Sequence, residues 1–201
     1  SILKQEHTGS NFKGTRQYWT LYSTVFIGIL YGTKMYSWTI VAYLFAFVFG
    51  GILVKQMNRL LRFKDYQINL VMIIFGILLT FWLPTYFIGV FIIRSFAGAE
   101  RKIAIDDYEK ATHNYSISSI VNYYYASIAG IISQLVMWGS LFIFAGPTGM
   151  NRIFGAFSVG KTSAQSFSII MNTHLILAGY MIIFIMALIF RLENTKKQEL
   201  R

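Results

Sequence analysis

Apolar and polar positions fall along this chain in long blocks. Five stretches, 17–33, 37–54, 68–93, 120–145 and 168–190, contain no Asp, Glu, Lys or Arg. An α-helix rises 1.5 Å per residue, so about 20 apolar residues cross the hydrocarbon core of a bilayer. The blocks predict an all-α fold, a polytopic transmembrane helix bundle with four full spans and an interrupted fifth segment at 68–93. The first two blocks are separated only by Lys34, Met35 and Tyr36, which predicts a helical hairpin with a tight turn there. Between the blocks lie a basic arm at 1–16, a basic linker at 55–66, an amphipathic helical segment at 94–119, a Gly-rich connection at 146–167 and a basic tail at 191–201. With no internal repeat and no separate soluble region, residues 1–201 read as one integral membrane domain.

The segment 68–93 carries Pro84, one of only two prolines. Proline lacks a backbone donor and clashes with the preceding turn, so a helix breaks or kinks there. Charge distinguishes the two possible courses of this segment. Cytoplasmic loops hold the excess of Lys and Arg. If all five blocks cross, with the N-terminus inside, the basic residues divide nine and nine. If 68–93 turns back to the side it came from, they divide fifteen inside and three outside. The charge count favours a re-entrant or sharply broken segment. The alternative is one kinked, tilted helix of about 39 Å.

Composition narrows the class further. Of 201 residues, 55% are hydrophobic and 13% charged, about half the charge of a soluble domain. That excludes an ordinary soluble domain and a disordered chain. There is no cysteine, which excludes disulfides and thiolate metal sites. The net charge of +10 would suggest nucleic acid in a soluble protein. Here the basic residues flank apolar blocks, so the expected partners are anionic headgroups and other membrane subunits, with no nucleic acid. The expected location is a bacterial inner membrane or the mitochondrial inner membrane, both termini on the cytoplasmic or matrix side. The small residue Ser1 is expected where an initiator methionine has been removed.

Candidate chemistry is sparse. Gly155 to Thr162 matches the phosphate-binding pattern G-x-x-x-x-G-K-[ST]. That loop needs a strand before it and an α/β domain around it, so a chance match in a connection is expected and nucleotide binding is not. Asp106, Glu109 and His113 would share one face of a helix, a candidate metal set. Lys102 and Lys110 stand four residues either side of Asp106, the spacing of ordinary surface pairing. His174 lies inside the last block. An intramembrane ionisable residue is a candidate functional group, here for packing, a proton or ligand role, or cofactor binding. No cofactor is predicted. Gly28 and Gly32, and Ala126 and Gly130, have the small-xxx-small spacing of close helix contact. Asn122, Ser127, Ser133, Gln134, Asn172 and Thr173 are candidates for hydrogen bonds between helices. The run Tyr123 to Tyr125 fits an interfacial aromatic belt.

These features lead to three functional expectations. The first is a non-catalytic integral subunit of a larger membrane complex, such as a secretion, conjugation or respiratory assembly. The second is an oligomeric channel or transporter with 68–93 lining the path. The third is a lipid- or quinone-handling enzyme using Asp106, Asp107, Glu109 and His113.

Overall fold

The computed structural model describes residues 30–60, 65–112, 115–159 and 164–199. Among the described residues there are five helices and no strand: α1 (Thr33–Leu60), α2 (Asp65–Leu79), α3 (Leu83–Thr112), α4 (Tyr115–Val159) and α5 (Ala164–Glu199). Three stretches, Lys34–Leu60, Ser127–Pro147 and Ala164–Phe190, are long and apolar enough to cross a membrane, as an integral membrane protein requires. The first apolar block lies almost wholly outside the described residues.

The joint before α1 falls at Gly32, not at Lys34 to Tyr36, which are already helical. Gly32 has φ 84°, a conformation that glycine adopts without steric cost. The amide of Tyr36 donates to the carbonyl of Gly32 at 3.2 Å, closing the first turn. One left-handed glycine suffices to break the path, while Lys34 and Met35 are good helix formers.

The helices also run further than the apolar blocks. α1 enters the linker at 55–66, α3 continues through 94–112, and α5 carries the tail to Glu199. Loss of apolar character marks where a membrane ends, whereas Lys, Arg and Glu favour helix as much as Leu does. The predicted connection at 146–167 is helical to Val159 after a break at Gly146, with φ 62° and ψ 179°. An extended ψ is what a following proline imposes, and Pro147 is well placed in a first helical turn.

Segment 68–93 is two helices joined by Thr80, Phe81 and Trp82. The break precedes the proline. Its ring would collide with the carbonyl four residues back, that of Thr80, so α2 ends at Leu79 and Pro84 sits in the first turn of α3. The two arms fold back on each other. A Cβ on Gly89 would lie 2.5 Å from the carbonyl oxygen of Gly76, and one on Gly76 would lie 3.0 Å from that of Gly89. Backbones this close require glycine on both sides.

α1 lies along α3. A Cβ on Gly50 would meet Oγ of Ser95 at 2.6 Å and its Cα at 3.1 Å. Nearer their starts, Tyr31, Met35, Ala42 and Tyr43 pack on Tyr86 and Val90. The two helices therefore run in the same direction, with α2 opposed to both. The ring of Phe167 at the start of α5 stands edge-on to Tyr31, centroids 6.5 Å apart. The start of α1 and the start of α5 thus share one end of the bundle, toward which the hairpin turn points. α1, α3 and α5 run out at the other, where the hairpin is open.

The core between these helices is formed by Leu70, Ile73 and Ile77 of α2, Ile93 and Phe96 of α3, and Leu177, Met181 and Ile185 of α5. α4 presents Ala129, Ser133, Met137, Ser140 and Leu141 to its neighbours. The largest side chains of the other faces point outward: Phe47 is 81% exposed and Ile143 78%. In lipid this distribution costs nothing, because hydrocarbon replaces water as the neighbour and close packing of small residues decides which faces meet.

Candidate functional site

The hairpin turn meets the one histidine of the last span. A turn placed among apolar helices must satisfy its backbone polar groups within the protein, and four carbonyls here, those of Ile77, Leu78, Leu79 and Trp82, are met locally. The Ile77 carbonyl accepts from the Thr80 amide at 3.0 Å and from the Thr80 hydroxyl at 2.6 Å. The Leu78 carbonyl accepts from the Phe81 amide at 3.3 Å. The Thr85 hydroxyl reaches back to the Leu79 carbonyl at 2.7 Å and lies 3.1 Å from that of Trp82, which also accepts from the Thr85 amide at 3.1 Å. Threonine on each side of the turn, with a proline where a donor would be surplus, is the local chemistry that makes the turn stable without bulk water.

His174 of α5 docks on this turn. It is fully buried, at 0% exposure. Its Nε2 is 3.2 Å from Oγ1 of Thr80, and its ring packs on Phe81 with centroids 4.9 Å apart. The tautomer follows from the neighbours. The single hydroxyl hydrogen of Thr80 is engaged by the Ile77 carbonyl, so Oγ1 is an acceptor toward the ring and Nε2 carries the hydrogen. At 1.5 Å per residue His174 is about 15 Å from Ala164 and about 24 Å from Phe190. The turn therefore reaches well into the length of α5. Trp82, 66% exposed, marks its outer side.

The other candidates fall wholly or partly outside the described residues or side chains. Asp106 and Glu109 are on α3, and His113 lies outside the described residues. Among the described residues no group of three or more His, Asp or Glu is placed to hold a metal. Gly155 to Val159 are helical and Gly160 to Thr162 lie outside the described residues. Those five residues are the end of α4, not the loop after a strand that phosphate binding requires. Gly28 lies outside the described residues, while Gly32 supplies the joint described above, with no atom of the described residues within 4 Å of where its Cβ would be. Ala126 is helical and Gly130 half-buried.

Among the described residues, tight helix contacts fall at Gly50 with Ser95 and at Gly76 with Gly89. Sequence reasoning missed the second pair, two glycines on either side of the break that are brought level when the chain folds back. The hydroxyls expected to bridge helices turn inward on their own. Ser127, Ser133 and Thr173 donate to the carbonyls four residues earlier, at 2.9, 2.7 and 3.0 Å, the local alternative open to Ser and Thr in any helix. No family model, curated protein or solved structure matches the chain.

Proposed function

We propose that the chain is a non-catalytic integral subunit of a larger membrane complex. The observation that carries this reading is the inward use of its polar chemistry. His174 is engaged by the hairpin turn, and the span hydroxyls by their own helices. Large apolar side chains cover the outer faces of α1, α4 and α5. Such a molecule offers helix faces to other helices and to lipid, and a scaffold rather than a reaction centre. A secretion, conjugation or respiratory assembly of a bacterial inner or mitochondrial inner membrane is the kind of complex it fits.

In this reading α1, the first part of α4, and α5 cross the bilayer, and the missing fourth span is the block at 17–33. The α2–α3 pair enters and returns on one side. Its apolar arms, Gln67–Leu79 and Leu83–Ala99, are about 20 and 25 Å long at 1.5 Å per residue, short of the ~30 Å hydrocarbon core. Charge supports the same sidedness. Nine basic residues (Lys55, Arg59, Arg94, Arg101, Lys102, Lys110, Arg191, Lys196, Lys197) are on helical stretches toward the open end of the hairpin, against Lys34 and Arg152 toward the turn. Lys and Arg alone set orientation, so the acidic residues at that end do not weaken the count. The open end faces the cytoplasm or matrix.

A channel lined by the hairpin is the second reading, favoured by a helix break at membrane depth. Four carbonyls at that break, those of Ile77, Leu78, Leu79 and Trp82, are already bonded within the turn, which leaves those four poorly placed to coordinate an ion. Native mass spectrometry after gentle extraction from the source membrane separates the two. The subunit reading expects the chain to leave in a fixed hetero-complex. Release alone or as a homo-oligomer, with ion flux in liposomes lost on placing a charge at Thr85, contradicts it.

A further inference from the structure

We propose that α1 and α3 hold the headgroup of an anionic phospholipid near the open end of the hairpin, with Arg94 as its central contact and Lys55 and Arg59 as flanking charges. The inference rests on the membrane reading above but not on which side the open end faces. In the sequence, Arg94 closes an apolar block. In the structure it stands inside an apolar helix, because the apolar part of α3 runs on to Ala99 and the next three residues, Ser95, Phe96 and Ala97, are buried. Arg94 itself is half-buried. Among the described residues it has no hydrogen-bond or ion-pair partner.

A guanidinium at such a depth is costly unless something pairs it. Its planar fork matches a phosphate oxygen pair. Space is available, since Gly98, one turn on, has no atom of the described residues within 4 Å of where a Cβ would be. The neighbouring helix supplies more charge. α1 meets α3 at Gly50 and Ser95, and within the following turns it exposes Lys55 and Arg59. Toward the turn end, α1 exposes Val48 and Ile52, apolar surface on which an acyl chain can lie. A cationic site that continues into an apolar face fits a phospholipid and not a free anion.

The test is thermal unfolding of the purified full-length chain while phosphatidylglycerol is titrated into neutral detergent, with phosphatidylcholine and inorganic phosphate as comparators. Phosphatidylglycerol should raise the melting temperature of the native chain. Arg94→Gln should need about tenfold more lipid for the same rise, the scale of one charge-assisted hydrogen bond. Phosphatidylcholine and phosphate should have little effect. The double variant Lys55→Gln and Arg59→Gln, at exposed positions, provides a reading if Arg94→Gln does not fold, and should weaken the response several-fold. An unchanged response in either variant, or an equal response to phosphate or phosphatidylcholine, overturns the proposal. Because no partner subunit is present, that result leaves the subunit reading intact.

Discussion

Replacing Gly89 with valine should destabilise the bundle by about 3 kcal/mol, the upper part of the range for overpacking. The reason is where the first added atom goes. A Cβ at position 89 would fall 2.5 Å from the Gly76 carbonyl oxygen, 3.0 Å from Cγ2 of Thr80 and 3.1 Å from Cβ of Leu79. The nearest of these belongs to a backbone and cannot rotate away. The arms of the hairpin must separate, which also loosens the core residues Ile73, Ile77 and Ile93. Alanine at position 89 already carries the offending atom and should cost a substantial part of the same amount. Gly179→Ala in α5 is the control, because no atom of the described residues lies within 4 Å of a Cβ there. It should stabilise by about 0.5–1 kcal/mol, the ordinary helix preference for alanine. Unfolding in detergent, followed by tryptophan fluorescence, reads all three. A Gly89→Val variant as stable as the native chain would show that α2 and α3 do not pack as described.

His174→Ala should cost about 2–4 kcal/mol, chiefly through the cavity left between α5 and the hairpin turn. Packing and hydrogen bonding can be separated at this position. A hydrogen bond between membrane helices is worth only about 0.6 kcal/mol on average, so His174→Leu, which restores bulk without a donor, should recover most of the loss. His174→Gln places an amide donor near the position of Nε2 and should recover the contact with Thr80 as well. His174→Asn is too short to reach it. The expected order of stability is native, Gln, Leu and then Ala. The advantage of Gln over Leu should vanish or reverse when Thr80 is replaced by valine, since the buried Gln amide then lacks that partner, while Ala stays last. If His174→Ala melts with the native chain, the docking of the turn on α5 is wrong.

Much of this architecture was legible in the pattern of charge along the chain. A helix in a bilayer must be apolar for about 20 residues, so the spans at 37–54, 120–145 and 168–190 stand out without knowledge of packing. Pro84 pointed to the break because proline acts on the backbone preceding it, and that backbone includes Thr80. Helix ends were not legible. Charged residues such as Lys55, Arg59 and Lys196 end an apolar block while favouring helix, so linker and helix look alike. Helix contacts were hidden for another reason. Small-xxx-small spacing describes one helix, whereas the contacts of Gly50 with Ser95 and of Gly76 with Gly89 are properties of pairs. The candidate site was half legible. His174 announced itself as an ionisable residue in an apolar block, but its partner Thr80 lies 94 positions away and nothing in one sequence connects them.

The central claim is that the chain between α1 and α4 enters and leaves the bilayer on the same side. The native chain has no cysteine, so single-cysteine variants carry an unambiguous label. Arg59→Cys, Lys102→Cys and Lys34→Cys, reacted with a membrane-impermeant maleimide in sealed right-side-out and inverted vesicles, test it directly. Positions 59 and 102 should react from the same side, that of the cytoplasm or matrix, and position 34 from the other. Reaction of 59 and 102 from opposite sides would mean that 68–93 crosses the membrane once, and would contradict the account.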